Sequence, residues 1–430
     1  MAEGMAEGTV HIIGAGLAGL STAVRLVERG RRVVLHEANR FAGGRCRTFH
    51  DPRLEREIDN GNHLILSGNR SARAYLAAIG AGDRLVEQPA RFAFVDLGAD
   101  LADGRRWTVA MNRGAVPWWI AAPGRRIPET GIADYLAGIR LAFAGPGKTV
   151  AEALPGRGPL WTRFWEPLTL AAINTTADRA SAQLLWAVLR ETFARGERYC
   201  RPMLAPEGLG HALVEPAVEW LGARGVELRF GRPLRAVERQ AGRAAILRFA
   251  DGDEVLGADD RVVLALPPSR LRAVLQQALP GIDPPDDACT IVNAFFRLAE
   301  PPPEGVAPIL GVLSSTAHWI FRRGDVVSVT VSAADALGVD ERDSEKLIAA
   351  IWQETRRALG LATGTPYLSA RINKERRATF DQSPAGVAKR LQPRTGLTNL
   401  FLAGDATDTG LPATIEGAIR SGERVAALVE

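Results

Sequence analysis

Gly14, Gly16 and Gly19, spaced as Gly-x-Gly-x-x-Gly, are the first residues whose type and spacing could do chemistry. Gly14 permits a tight turn. Gly16 lets the backbone approach a pyrophosphate, and Gly19 lets a helix pack closely on a strand. Leu17 and Ala18 lie between them, where a helix N-terminus offers unpaired N–H groups and a partial positive charge to phosphates. Glu37 stands 18 positions after Gly19 and is followed by Ala38. Its carboxylate can accept from a ribose 2′-hydroxyl and would repel a 2′-phosphate, which disfavours NADP. Further on, Gly43 and Gly44 let backbone amides reach a pyrophosphate and its sugar chain, and Arg45 can pair with a phosphate.

These residues need elements to hold them. Val10 to Ile13 reads as a short buried strand. Leu17, Leu20, Val24 and Val27 follow at helical spacing, and Gly30 stops the helix. Residues 32–36 form a second strand closed by Glu37. Near the other end, Leu400 to Ala403 is an apolar strand running into Gly404 and Asp405, and residues 410–419 lead into a closing helix. Residues 226–230, 234–237 and 262–267 supply further strands. No second Gly-x-Gly-x-x-Gly follows a strand, so a built-in NAD(P)H domain is not expected.

Composition sets outer limits. Of 430 residues, 46% are hydrophobic and 24% charged, which is ordinary for a globular protein and excludes intrinsic disorder. Fifty-three basic against 49 acidic residues give +4, too mild for a dedicated nucleic-acid surface. Cys46, Cys200 and Cys289 are far apart and odd in number, so neither a disulfide framework nor a cysteine zinc site is expected. No metal is expected, and a cytoplasmic setting is the default. No apolar run is long enough for a spanning helix. Six of the nine tryptophans (107, 118, 119, 161, 165, 186) fall within 80 residues, which is uneven.

The Gly43-Gly44-Arg45 extension resembles that of the amine oxidase and carotenoid desaturase superfamily of flavoproteins, which implies FAD. Residues 58–69, with Asp59-Asn60-Gly61-Asn62-His63, are similar to the squalene-associated FAD-dependent desaturases of the hydroxysqualene dehydroxylase type. Pro117-Trp118-Trp119, Trp165-Glu166-Pro167-Leu168, Asn174-Thr175, Tyr199-Cys200-Arg201-Pro202, residues 376–380 and residues 407–418 carry the same resemblance. It implies an α/β fold, amine oxidase and phytoene desaturase-like. A Rossmann-like FAD-binding domain (9–95, 205–290, 395–430) would be interleaved with an α+β substrate domain bearing a helical lid (96–204, 291–394). It also implies that Gly404 and Asp405 meet the ribityl-phosphate region and that Leu234 lies beside the adenine. Asn60, Gly61, Asn62 and His63 would run along the flavin ring, towards which Pro412, Thr414 and Ile415 aim a helix N-terminus. Relatives carry tryptophan after the Ala-Gly-Asp where Ala406 stands here.

The implied reaction removes an allylic hydroxyl from hydroxysqualene and leaves squalene, a step of hopanoid biosynthesis. It needs an acid for the hydroxyl, stabilisation of an allylic cation, and a hydride from reduced flavin. His63 is the first candidate acid, with Asp59 and Glu166 as alternatives. Each has a plainer reading: a hydrogen-bonding core residue, a turn residue and a helix-start residue. For the cation, the aromatic faces of Trp118, Trp119, Trp161, Trp165 and Phe164 are candidates, and Asn174 is expected to meet the substrate. Their plainer reading is core packing. A desaturase or an amine oxidase would use the same motifs with the hydride moving the other way. A non-catalytic prenyl-binding escort protein would lack the intact flavin site. The expected partners are a long apolar isoprenoid, an external electron donor or reductase, and a membrane surface. The surface would be met on the inner face of the cell membrane through Trp118 and Trp119 beside Arg125 and Arg126.

Overall fold

The computed structural model describes residues 8–98, 104–114, 116–154, 156, 158–285 and 289–429. Its first layer is a five-stranded sheet in the order Glu227–Arg229, Val33–His36, Val10–Ile13, Arg261–Leu264, Leu400–Leu402, with every pairing parallel. The strands Val10–Ile13, Val33–His36 and Leu400–Leu402 are buried along their whole length because both faces are covered. The helix Leu17–Glu28 packs against the closing helix Ile415–Ala426. Gly422 allows that approach, since a Cβ there would lie 2.4 Å from the Ala18 carbonyl oxygen. The Ser21 hydroxyl donates across the same seam to the Ile419 carbonyl at 3.0 Å.

A second, seven-stranded sheet runs Ser369–Thr379, Cys289–Arg297, Val326–Val331, Trp319–Arg323, Ile309–Leu313, Arg91–Asp96, Arg105–Ala110. All its pairings are antiparallel except Ile309–Leu313 with Arg91–Asp96. The strand Arg91–Asp96 therefore belongs to this sheet, although a boundary at residue 95 gives most of it to the cofactor half. Its alternation explains the placement: Phe92 and Phe94 face the helical layer, while Ala93 and Val95 face the core under the helix Ser344–Leu359. Conversely, Pro202–Leu204 pairs with Ile65–Leu66 and Val86–Glu87, beside the cofactor half. Leu234 starts a separate three-stranded antiparallel sheet (234–255) and packs with Ile13, Val262 and Leu264.

Residues 118–199 form the helical layer. Its core holds Trp119, Trp161 and Trp165, with Trp107 and Trp186 packed at its edge. Among the described residues, no helix is long and apolar enough to cross a membrane.

Candidate active site

The first functional feature is the turn between Val10–Ile13 and Leu17–Glu28. Gly14 takes φ +108°, and a Cβ there would meet the Ala265 carbonyl oxygen at 2.5 Å. Gly19 is fixed more tightly, because its Cβ would lie 1.9 Å from the Gly14 carbonyl oxygen. Gly16 is different: its Cβ would meet nothing within 4 Å, so open space lies in front of the backbone. Gly16 is also the N-cap of the helix and supplies no side-chain cap, and no acidic residue occupies the first turn. The amides of Leu17 and Ala18 are thus left for an outside acceptor.

Two further pieces close around this turn. Glu37 is buried, accepting from the Ala15 amide at 2.8 Å and from the Asn39 amide at 2.9 Å. Ala38 follows it, exposed, as the chain turns out of the strand. The Gly43 amide donates to the Ala15 carbonyl at 2.8 Å, and Gly44 approaches Gly16 so that its Cβ would lie 3.5 Å from the Gly16 Cα. A bare glycine cradle facing uncapped helix amides, with a buried carboxylate at the next strand end, fits a dinucleotide such as FAD.

Arg45, expected on a phosphate, has protein partners: Asp405 at 2.6 Å and the Ala378 carbonyl at 2.5 Å. The cause is electrostatic, since the almost fully buried Asp405 carboxylate needs a cation. This pair ties the loop 43–45 to the end of the strand Leu400–Leu402. Gly404 takes φ +93°, and its amide donates to the Ser421 hydroxyl at 2.8 Å. Thr414 caps the closing helix through the Gly417 amide at 3.1 Å, between Pro412, whose carbonyl accepts from the Thr414 hydroxyl, and Ile415. Ala406 is fully buried against the Leu264 and Leu402 cluster, so the missing tryptophan is replaced by close packing and not by a gap.

The segment 59–63 crosses from the cofactor half to the second sheet. Asn60 accepts from the Asn373 side chain at 2.9 Å through its carbonyl. Gly61 lies under Asn293, where a Cβ would come within 3.2 Å of the amide nitrogen. The Asn62 amide donates to Thr330 at 3.0 Å and accepts from Ser328 at 2.8 Å, while Thr330 donates to Asn293 at 2.9 Å. Asp59 and His63 flank this anchor and share a cavity of about 340 Å³ with Asn62, Met203, Leu204, Phe295 and Phe321.

Asp59 and His63 behave differently there. Asp59 accepts from Thr48 at 2.5 Å, the Leu209 amide at 2.9 Å and Arg323 at 2.9 Å, so its oxygens are already in use. His63 keeps an open face toward the cavity yet is ringed by protein atoms. Desolvation by the surrounding protein atoms lowers its pKa to about 4, with Asp59 raising it and Arg45 lowering it further, although the residue itself is exposed. The imidazole is therefore neutral near pH 7.

The other candidates lie elsewhere. Glu166 is exposed at the start of the helix Glu166–Ile173 and does not line this cavity. Trp119 stacks edge-on against Tyr135 at 5.3 Å, and Trp165 likewise against Phe164 at 4.9 Å, both inside the helical core. Trp118 points to solvent with Arg125 over its ring at 4.9 Å. Asn174 ends its helix in the left-handed region (φ 51°), which asparagine tolerates. Its side chain donates to Thr379 at 3.0 Å and accepts from the Ala333 amide at 2.6 Å, so both of its polar atoms have protein partners. Trp119, Trp165 and Asn174 are engaged in packing and capping, because apolar and amide groups at those depths need partners.

The aromatic faces that do line the His63 cavity, Phe295 and Phe321, were not singled out from sequence, nor was Arg323. The readable signal was weak: Asn293 and Thr330 are buried polar residues inside otherwise apolar strands.

A parallel sheet with a glycine turn at its centre and a second sheet beside a cavity of mixed polarity fit a dinucleotide-dependent oxidoreductase. The profile of the flavin containing amine oxidoreductase family matches residues 17–430, and the chain belongs to that family as an FAD-dependent enzyme. It is 44% identical over 423 residues to the hydroxysqualene dehydroxylase of Rhodopseudomonas palustris, covering 98% of each chain. The corresponding figures for the hydroxysqualene dehydroxylase of Sinorhizobium fredii are 44% over 420 residues and 97% of each chain. The chain therefore belongs with the hydroxysqualene dehydroxylases. In fold it is similar to the solved cyclohexylamine oxidase of Brevibacterium oxydans, with a TM-score of 0.70 at 14% identity over 98% of each chain.

Proposed function

We propose that this chain removes the allylic hydroxyl of hydroxysqualene and yields squalene. The carbon–oxygen bond breaks, the oxygen leaves as water with one added proton, and a hydride takes its place on carbon. Bound FAD, once reduced, supplies that hydride. The turn at Gly14, Gly16 and Gly19, with the amides of Leu17 and Ala18, would hold its pyrophosphate, and Glu37 would hold its ribose. A single dinucleotide turn means that the reducing equivalents come from outside the chain.

The observation that carries the reading is the likeness to the dehydroxylases over nearly the whole of both chains. The cavity at His63 supports it, because His63 has an open face there beside both apolar side chains and the polar Asp59, Asn62 and Arg323. Phe295, Phe321, Met203 and Leu204 exclude water and accept a hydrocarbon chain. In this reading His63 would hydrogen-bond the leaving hydroxyl. Its low pKa makes the imidazolium, where it forms, a strong acid. Asp59 positions the segment through Thr48, Leu209 and Arg323 instead of giving a proton.

The test is to reduce the FAD-loaded protein without oxygen and add hydroxysqualene. Squalene should form in step with flavin reoxidation. Flavin that stays reduced would refute the dehydroxylase reading, and a purified protein without flavin absorbance would favour a carrier.

A further inference from the structure

We infer that residues 116–143 form the face by which this protein sits on an anionic lipid bilayer. Six of the twelve large apolar side chains left exposed by the described residues fall in this one segment. Ile132, Leu136, Ile139 and Phe143 follow at intervals of four, three and four along the helix Ile132–Leu136 and the 3-10 helix Ala137–Phe143, and all four are exposed. Leu136, Ile139 and Phe143 are 60%, 61% and 83% exposed. The stretch is not a frayed end. Leu141 is fully buried, and Tyr135 packs against Trp119 at 5.3 Å, which joins it to the turn carrying exposed Trp118 and to Val116. An apolar outer row on a well-seated element needs an occupant.

The charge of this face selects the occupant. Its carboxylates are used locally: Glu129 by Arg105 and Arg163, Asp134 by the Gly131 amide, and Glu197 by Arg201. Arg113, Arg125, Arg126 and Arg140 remain as a cationic border. A cavity of about 410 Å³ opens beside Trp118, lined by Arg91, Arg113 and Arg125 together with Glu197, which Arg201 pairs, so that the arginines are in excess for a phosphate headgroup. Apolar side chains bordered by arginine and tryptophan match the interfacial zone of a bilayer. A second copy of this chain fits poorly, since a two-fold contact would oppose cation to cation. The usefulness of such a seat rests on the proposed isoprenoid substrate, but its geometry does not.

The test uses FAD-loaded protein and vesicles of phosphatidylcholine with and without phosphatidylglycerol, separated by flotation. The protein should float with the phosphatidylglycerol vesicles and detach as salt rises. Ile139→Ser with Phe143→Ser should weaken binding at least ~10-fold. Arg113→Gln and Arg140→Gln should each weaken it roughly fivefold on the anionic vesicles only. All four positions are exposed, so flavin content should stay at the wild-type level. Wild-type protein that ignores anionic vesicles, or an apolar double variant that binds as well as wild type, would overturn the proposal. So would a dimer in light scattering that Phe143→Ser dissolves. Turnover of detergent-dispersed hydroxysqualene is scored separately: its absence would count against the proposed reaction and leave the vesicle result standing.

Discussion

Gly16→Ala separates a cofactor cradle from a merely structural glycine turn. The backbone at Gly16 has φ −73° and ψ 175°, which alanine adopts freely. A Cβ there meets no protein atom within 4 Å. The stability of the FAD-free variant should therefore stay within about 0.5 kcal/mol of wild type. The methyl group would instead occupy the space in front of the Leu17 and Ala18 amides. Pushing a pyrophosphate away should cost one charge-assisted hydrogen bond, ~1.5–3 kcal/mol. That is a roughly 10- to 150-fold rise in the Kd for FAD. The assay is fluorescence titration of FAD into apo-protein, paired with thermal melts with and without FAD. The stabilisation that FAD adds should shrink by about 1.4 kcal/mol for each tenfold loss of affinity. Unchanged affinity would refute the reasoning, because the pyrophosphate would then not lie against Gly16. Gly19→Ala is the contrast: its Cβ would sit 1.9 Å from the Gly14 carbonyl oxygen, so the apo-protein itself should be destabilised.

Further outcomes follow from other parts of the structure. Arg420 bridges Glu191 at 2.8 Å and Glu416 at 2.9 Å, and Glu416 caps the helix Arg70–Ala78 through the Ser71 and Ala72 amides. Arg420→Ala strands two carboxylates and should cost ~2–4 kcal/mol in denaturant unfolding, with part recovered by adding Glu191→Gln. Burial pushes the His36 pKa from 6.5 down to about 3, with His11 and Arg232 adding to it. The folded state then binds fewer protons than the unfolded one, so stability is complete above pH 6.5 and falls on acidification. Through His36 the loss is up to ~1.4 kcal/mol per pH unit, and a melting temperature that stays flat from about pH 7 to pH 5 would contradict it. If imidazolium at His63 gives the proton, single-turnover flavin reoxidation should quicken about tenfold per pH unit of acidification above its pKa. His63→Gln should abolish that slope without releasing FAD, and a slope that persists would move the acid elsewhere.

Sequence spacing made much of the cofactor half legible because its requirements are local. Gly14, Gly16 and Gly19 act within one turn, and the inner strands of the parallel sheet are short, mostly apolar runs. The C-terminal strand at Leu400 and the capped helix after Thr414 were legible for the same reason. The second half was harder to read. Arg91 to Asp96 looked like an extension of the first half, but its alternating faces fit only between the helical layer and the second sheet. Asn174 carries a helix-ending conformation, which serves packing, in a motif that suggested substrate contact.

What the sequence determined by itself was the cofactor class, the interleaving of the chain and the residues of the glycine cradle. Their physics is short-range: backbone freedom, helix amides and periodic burial. Tertiary structure decided which polar groups remain open. It spent Asp59 on Arg323, Arg45 on Asp405 and Asn174 on Ala333, and it left His63 facing a cavity walled by Phe295 and Phe321. It also divided the tryptophans, turning Trp119 and Trp165 into the core and Trp118 out to solvent. Such allocations depend on partners up to hundreds of residues away, and no local pattern encodes which donor meets which acceptor once both are buried.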